Sequence, residues 1–322
     1  MTERIVTVTL NPAIDLTVGV DVLRPGETHR ARAAGSNPGG KGVNVASCLS
    51  DWGAPVTAAG FLGAENAALF ESLFTDKGIK DAMTRLPGAT RVNIKLAERD
   101  GRTTDVNLPG LSTAQDDLAG VRAVLERLSP SLLVLAGSLP EGLPGGTWAD
   151  LSAEWRARGA RVIMDVSEGP LALALAGPRS RPHVLKPNRD ELSILAGGAL
   201  DDIGLLRQAR LIRAGGVALT VVSLGAGGAL FVGPDEALHA EALQVDALSS
   251  VGAGDAMVAG LAAALVEGAD LDRTARLATA FAAGKLRVVG PHLPPREVIE
   301  GLAEQVKIKS ADAWVGAQDD AA

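Results

Sequence analysis

Short apolar runs alternate with longer amphipathic stretches along most of the chain, and that order already constrains the architecture. Residues 5–10 (IVTVTL), 132–137, 161–166, 183–187 and 218–225 are continuous rather than alternating, as strands covered on both faces should be. Between them, residues 114–128, 148–158 and 203–214 carry helical spacing. The alternation predicts an α/β fold with a mostly parallel central sheet flanked by helices. Beyond residues 228–232 the pattern becomes mainly helical, over 254–267, 272–288 and 295–307. Two segments, at about 15–32 and 91–107, carry β-type patterns without intervening helices. In the second, Asp100-Gly101 separates two alternating runs, a hairpin signal. Both are expected to form a small β-sheet lid inserted into a single domain spanning residues 1–309. Residues 310–322 show little patterning and are expected to be a mobile tail.

Composition narrows the function classes. At 47% hydrophobic and 21% charged, the 322 residues can bury a large core. The net charge of −7 and the scattered basic residues exclude a nucleic-acid face or a polybasic membrane anchor. Cys48 is the single cysteine, so no internal disulfide forms, which suits a reducing, cytoplasmic compartment. It falls on the apolar face of a helix expected at 43–52 and reads as core. The N-terminus lacks the length and cleavage pattern of a signal peptide, and no apolar run reaches the ~18 residues of a membrane span. The four histidines show no metal-ligand spacing.

Two glycine-rich stretches carry the chemistry. Residues 35–44, GSNPGGKGVN, spell G-x-x-x-x-G-K but place Gly42 where a P-loop needs the hydroxyl that holds magnesium. The preceding residues are charged, not a buried strand, so a P-loop is disfavoured. A dinucleotide fold is set aside because Leu10 is followed by NPAID rather than a glycine fingerprint. In the second stretch, 249–265, apolar helical spacing begins at Ala256. Gly252, Ala253 and Gly254 therefore sit where free backbone N–H groups and the helix dipole hold an anion. Asp255 follows in the first turn. A carboxylate there serves either as a helix cap or, beside a bound phosphate, as a general base.

These stretches resemble the two signatures of the ribokinase-like, phosphofructokinase-B carbohydrate kinases. The resemblance extends to TVTLNPAIDLT at residues 7–17, TRVNIKLAERDGRTTDVNLPG at 90–110, GSLPEG at 137–142, LKPNRDEL at 185–192 and VVSLGAGGAL at 221–230, all in family order. It implies a ribokinase-like fold and an ATP- and Mg²⁺-dependent sugar-phosphate kinase. The first glycine stretch would then belong to the sugar site: Gly39 and Gly40 allow close backbone approach, Asn44 reaches sugar hydroxyls, and Lys41 suits a phosphorylated sugar. Asp15 would grip sugar hydroxyls. Arg91, Asn93 and Lys95, spaced by two, share one strand face; the resemblance points the arginine and lysine at the substrate's phosphate. Ser138, at a strand end, completes the sugar side. Lys186 and Asn188 would lie near the ATP phosphates, with Ser223, Gly225, Gly228 and Gly254 lining the nucleotide site. Asn188 and Glu191 would organise Mg²⁺ through water. Asp165 is a further strand-end carboxylate near that region.

Segments 97–110 and 185–197 most resemble family members that act on fructose 1-phosphate. The expected reaction is transfer of the ATP γ-phosphate to its C6 hydroxyl, giving fructose 1,6-bisphosphate. Members acting on tagatose 6-phosphate or fructose 6-phosphate share the mechanism. A non-catalytic sugar-phosphate sensor should have lost the base or the anion hole, and this chain retains both. Family lids often pair, so a homodimer through the lid is expected, with His29 and Arg30 in reach of a neighbouring site.

Overall fold

The computed structural model describes residues 3–248 and 251–319. Strand β1 (Ile5–Thr9) runs into β2 (Ala13–Gly19), β3 (Ala33–Gly39) and helix α1 (Lys41–Asp51). Next come β4 (Val56–Gly63), α2 (Ala68–Lys77), β5 (Lys80–Leu86), β6 (Arg91–Ala97), β7 (Thr103–Asn107) and α3 (Asp117–Leu128). Then β8 (Leu132–Ala136), α4 (Thr147–Ala157), β9 (Arg161–Asp165), α5 (Glu168–Ala176), β10 (Val184–Leu185), α6 (Arg189–Ala196), α7 (Asp202–Ala214) and β11 (Leu219–Ser223) alternate. The chain closes with β12 (Ala229–Val232), β13 (Ala237–Ala240), α8 (Ala253–Glu267), α9 (Leu271–Leu286), α10 (Arg296–Gln305), β14 (Ile308–Ser310) and α11 (Ala311–Asp319).

Among the described residues the main sheet has ten strands, in the order β14-β13-β12-β11-β10-β9-β8-β1-β4-β5. From β5 to β11 every neighbouring pair is parallel, and β12, β13 and β14 add an antiparallel margin. The continuous apolar runs follow from burial on both faces. In β8, Leu132, Val134 and Ala136 enter one core while Leu133 and Leu135 enter the other. Helices α1, α2, α8, α9 and α10 cover the first face; α3 to α7 and α11 cover the second.

A separate four-stranded sheet, β3-β2-β6-β7, forms the lid. The β6–β7 hairpin turns at Asp100-Gly101 as its sequence predicts, with Gly101 at φ 89°. The first lid segment differs from its expected span of 15–32. Its strands are Ala13–Gly19 and Ala33–Gly39, so the front half of the glycine stretch is a lid strand. The charged residues near 30 drew the boundary too early, because β3 itself (AAGSNPG) has no apolar rhythm.

Residues 308–319 also depart from a mobile tail. β14 pairs with β13, and Ala311, Trp314 and Val315 of α11 are buried against the second core. Three apolar contacts among the described side chains of this helix are too few to register as a period. Residues 320–322 lie outside the described residues.

Candidate active site

Three carboxylates, two ammonium groups and an amide meet at the C-terminal ends of the parallel strands, where open α/β sheets bind ligands. Asp255 sits in the first turn of α8, just after Gly252, which adopts φ 82° as N-cap. The cap must bend the chain this way to aim the first amides of α8 outward, and only glycine does so without strain. Asn44, on α1, donates from Nδ2 to Asp255 Oδ2 at 2.7 Å. Burial pushes the Asp255 carboxyl up to about 6; the nearby Asp165 charge adds to the shift, and Asn44, Lys41 and Lys186 oppose it. A buried carboxylate poised near neutrality is suited to accept a proton.

Asp165, 2% exposed at the end of β9, is the hub. Its Oδ1 lies 3.3 Å from Lys41 Nζ and 3.2 Å from Lys186 Nζ. Burial tends to lower the Lys41 ammonium, but Asp165, Asp255 and Glu191 together hold it above the ordinary lysine value. Lys186 Nζ also lies 3.7 Å from where a Cβ on Gly254 would stand, so one buried cation spans the hub and the α8 N-terminus. Ammonium groups near a helix N-terminus form an arrangement able to compensate the charge of a phosphoryl group.

Asn188 and Glu191 form a capping box at the start of α6: Glu191 N donates to Asn188 Oδ1 at 2.7 Å, and Asn188 N donates to Glu191 Oε2 at 2.9 Å. Ser167 Oγ donates to Glu191 Oε1 at 2.6 Å. With both side chains partnered, this pair fits a hydrated magnesium ion carried by phosphates better than direct ligation. Among the described residues no group of three or more His, Cys, Asp and Glu side chains forms a metal cage. Ser223 lies beside this segment, bridged to Asn188; Gly225 follows it on an exposed turn, and Gly228, at the end of that turn, is buried.

On the lid, register explains the sugar-side set. Asp15 is paired across β2 and β6 with Asn93, flanked by Ala13 opposite Arg91 and Thr17 opposite Lys95. Asn93 Nδ2 donates to Asp15 Oδ1 at 3.2 Å. Burial raises the Asp15 carboxyl, opposed by Asn93, Arg91 and Lys95. Lys95 pairs with Asp105 at 2.9 Å, and Arg91 donates to the carbonyls of Pro12 and Asn11 at 3.3 and 3.4 Å. Gly39 and Gly40 close this floor. A Cβ on Gly39 would stand 2.3 Å from Asp15 Oδ2, and Gly40 adopts φ 110° against Thr9 and Pro12.

The glycines of residues 35–44 thus shape the joint between lid and core. At Gly42 a Cβ would stand 2.4 Å from Thr9 Oγ1 and 2.8 Å from Val8 O, so a P-loop hydroxyl has no room there. Ser138 accepts from Asn11 Nδ2 at 3.1 Å. Lys41 faces Asp165 rather than the lid. Asn11 was missed by the sequence reading, although its NP context is a strand-end turn signal. Ser249 and Ser250, which begin the second signature, lie outside the described residues. Cys48 is buried in α1, and burial pushes its thiol up to about 12, which leaves it inert.

A mostly parallel sheet with helices on both faces and a small separate sheet is a ribokinase-like fold, and a buried carboxylate near two ammonium groups at a helix N-terminus suits phosphoryl transfer. Residues 7–297 match the pfkB family carbohydrate kinases, and the chain belongs to that family. It is 50% identical to the 1-phosphofructokinase of Xanthomonas campestris, over 89% of this chain and 92% of that protein. It is 47% identical to the 1-phosphofructokinase of Rhodobacter capsulatus, over 96% and 99%. Among solved structures, phosphofructokinase-2 from Escherichia coli in complex with potassium superposes with a TM-score of 0.87 at 28% identity, over 94% of this chain and 99% of that one.

Proposed function

We propose that the protein transfers the ATP γ-phosphate to the C6 hydroxyl of D-fructose 1-phosphate, the 1-phosphofructokinase activity of its relatives. Asp255 carries this reading: a buried carboxylate, raised to about 6, at the mouth of an anion-binding helix terminus. The C6 hydroxyl gives its proton to Asp255 as its oxygen attacks the γ-phosphorus. The bond from that phosphorus to the β,γ-bridging oxygen breaks, and ADP leaves. Asn44 orients the carboxylate, while Lys41, Lys186 and the Gly252–Asp255 amides offset charge on the phosphoryl oxygens. Asn188 and Glu191 would hold the waters of a magnesium ion carried by ATP, which would supply neutralisation of phosphate charge.

If C6 lies at Asp255, the 1-phosphate reaches toward the lid, where Arg91 and Lys95 meet it. Asp15, Asn93, Gly39, Gly40 and Ser138 surround the sugar between them. Lys41, beside Asp165, bridges the two substrates. Ser223, Gly225 and Gly228 back the nucleotide. All residues of β7 are exposed at the open lid edge, which suits pairing into a homodimer. A cytoplasmic enzyme is consistent with the lone buried thiol; among the described residues no helix is long and apolar enough to cross a membrane.

The test is ADP release with fructose 1-phosphate, fructose 6-phosphate, tagatose 6-phosphate and free fructose. Fructose 1-phosphate should give the highest kcat/KM, at least a hundredfold above fructose, because two charge-assisted bonds of ~1.5–3 kcal/mol each are lost with the phosphate. Preference for either 6-phosphate would overturn the substrate and leave the kinase standing.

A further inference from the structure

The C-terminal segment reaches the loop that the proposed function gives to the nucleotide. That loop, residues 223–228, is a tight turn in which Gly227 N donates to Leu224 O at 3.0 Å and Leu224 N donates to Gly228 O at 2.8 Å. Gly225, Ala226 and Gly227 are exposed on its outer side. From within, His239 Nε2 meets Gly227 O at 2.8 Å. The partner is a carbonyl, so Nε2 must carry the proton. His239 Nδ1 is buried with no hydrogen-bond partner, which fits a neutral ring with its single proton on Nε2.

Trp314 fixes the ring plane. The His239 and Trp314 rings stack with centroids 4.5 Å apart and planes 7° from parallel. His239 is 3% exposed and Trp314 9%. Trp314 is itself set by α11, which follows β14; there His239 pairs in register with Lys309. Glu241 N donates to Lys307 O at 2.9 Å, closing the strand pair. Gly228 leaves the loop no slack on this side, since a Cβ there would stand 2.0 Å from Ala240 O. Sheet margin, imidazole and indole thus form one stack behind a loop whose front is open.

We propose that His239 and Trp314 are positioning residues for the nucleotide: the α11 segment clamps the Gly227 carbonyl and with it the 223–228 loop that receives ATP. This rests on the assignment of that loop to the nucleotide. Neither residue touches the reacting atoms, so the clamp acts on nucleotide affinity and leaves the sugar phosphate untouched.

The test uses the full chain carrying Trp314→Ala, Trp314→Phe, His239→Leu or His239→Gln. KM is measured for both substrates, together with Kd for a non-hydrolysable ATP analogue and amide hydrogen exchange across 223–228. Trp314→Ala and His239→Leu should each raise KM for ATP and the analogue Kd about fivefold to tenfold, the range expected when one hydrogen bond is lost. KM for fructose 1-phosphate should stay within twofold, and loop exchange should quicken. Phenylalanine, which restores a ring face, and glutamine, which restores a donor, should each recover most of the loss. Equal rises in both KM values, or a lower Tm with KM for ATP unchanged, would overturn the clamp. So would faster loop exchange with unchanged analogue Kd. If the wild type itself failed to bind the analogue, the nucleotide assignment of the loop would fall and the clamp with it.

Discussion

The lid face around Asp15 and the cluster around Asp255 use the same chemical groups, yet they are held in different ways. The members of the cluster come from several distant elements of the core: Asp165 from the end of β9, Lys186 from beyond β10, Lys41 and Asn44 from α1 and Asp255 from α8. Asp165, Lys186 and Asp255 are 2%, 4% and 8% exposed, fixed by packed cores on both sides of the sheet. The lid set lies on one face of a four-stranded sheet whose outer strand, β7, is exposed throughout. Preorganised charge is worth most where bonds change, and a thin sheet can move to admit a sugar. On the proposed reading, chemistry falls to the rigid part and recognition to the adaptable part.

The sharpest way to break this division is Asp255→Asn. With the fold and ATP binding intact, kcat should fall by about 10²–10⁴, the usual contribution of a general base. A drop below threefold would reduce Asp255 to a helix cap. Next comes the joint. Gly39→Ala would drive a methyl into Asp15, and kcat/KM for the sugar phosphate should fall by on the order of a hundredfold, a typical consequence of misplacing a binding group by an ångström. KM for ATP should hardly move; a parallel rise would mean that the joint serves both substrates.

A smaller effect is expected at Arg91. Arg91→Ala should narrow the preference for fructose 1-phosphate over fructose by about tenfold, since only the phosphorylated substrate loses a contact. An unchanged ratio would place the phosphate elsewhere.

The gentlest probe is pH. Asp255 must be ionised to act, so kcat/KM should rise through about pH 6 and level off above it, while residual Asp255→Asn activity should follow only the substrate phosphate's own titration. The stability sign is opposite. A carboxyl whose folded pKa is raised stabilises the fold below its unfolded value near 3.8, and that contribution is lost as pH rises through about 6. Asp255→Asn should therefore melt a few degrees higher than wild type at pH 8, worth ~3 kcal/mol, with the difference vanishing toward pH 4. Equal melting at pH 8 would show that the ionised carboxylate is fully compensated.

Local pattern carried much of this into the sequence. Period-two spacing put Arg91, Asn93 and Lys95 on one face, and N-x-x-E spacing joined Asn188 to Glu191. Contacts between distant segments were hidden. Nothing near Lys41 announces Asp165, 124 residues away, and Lys41 was assigned to the sugar phosphate alone. Strand β4 (VTAAGFLG) escaped notice because small residues fill it, a requirement seen at Gly60, where a Cβ would stand 1.9 Å from Thr9 O. His239 and Trp314 lie 75 positions apart, on elements whose short apolar runs predict no partner.

The buried carboxylate on α8 also bears on how this protein would respond to laboratory evolution. Its neutral amide replacement is sterically mild, retains a group able to accept from Asn44, and removes a charge that the folded state tolerates poorly at neutral pH. A screen that rewarded heat resistance alone would enrich that replacement early and return robust, inactive proteins. Only a paired screen for turnover would keep the acidic side chain in the population, and the frequency of Asn at position 255 under the two regimes would measure how strongly function opposes stability at a single atom pair.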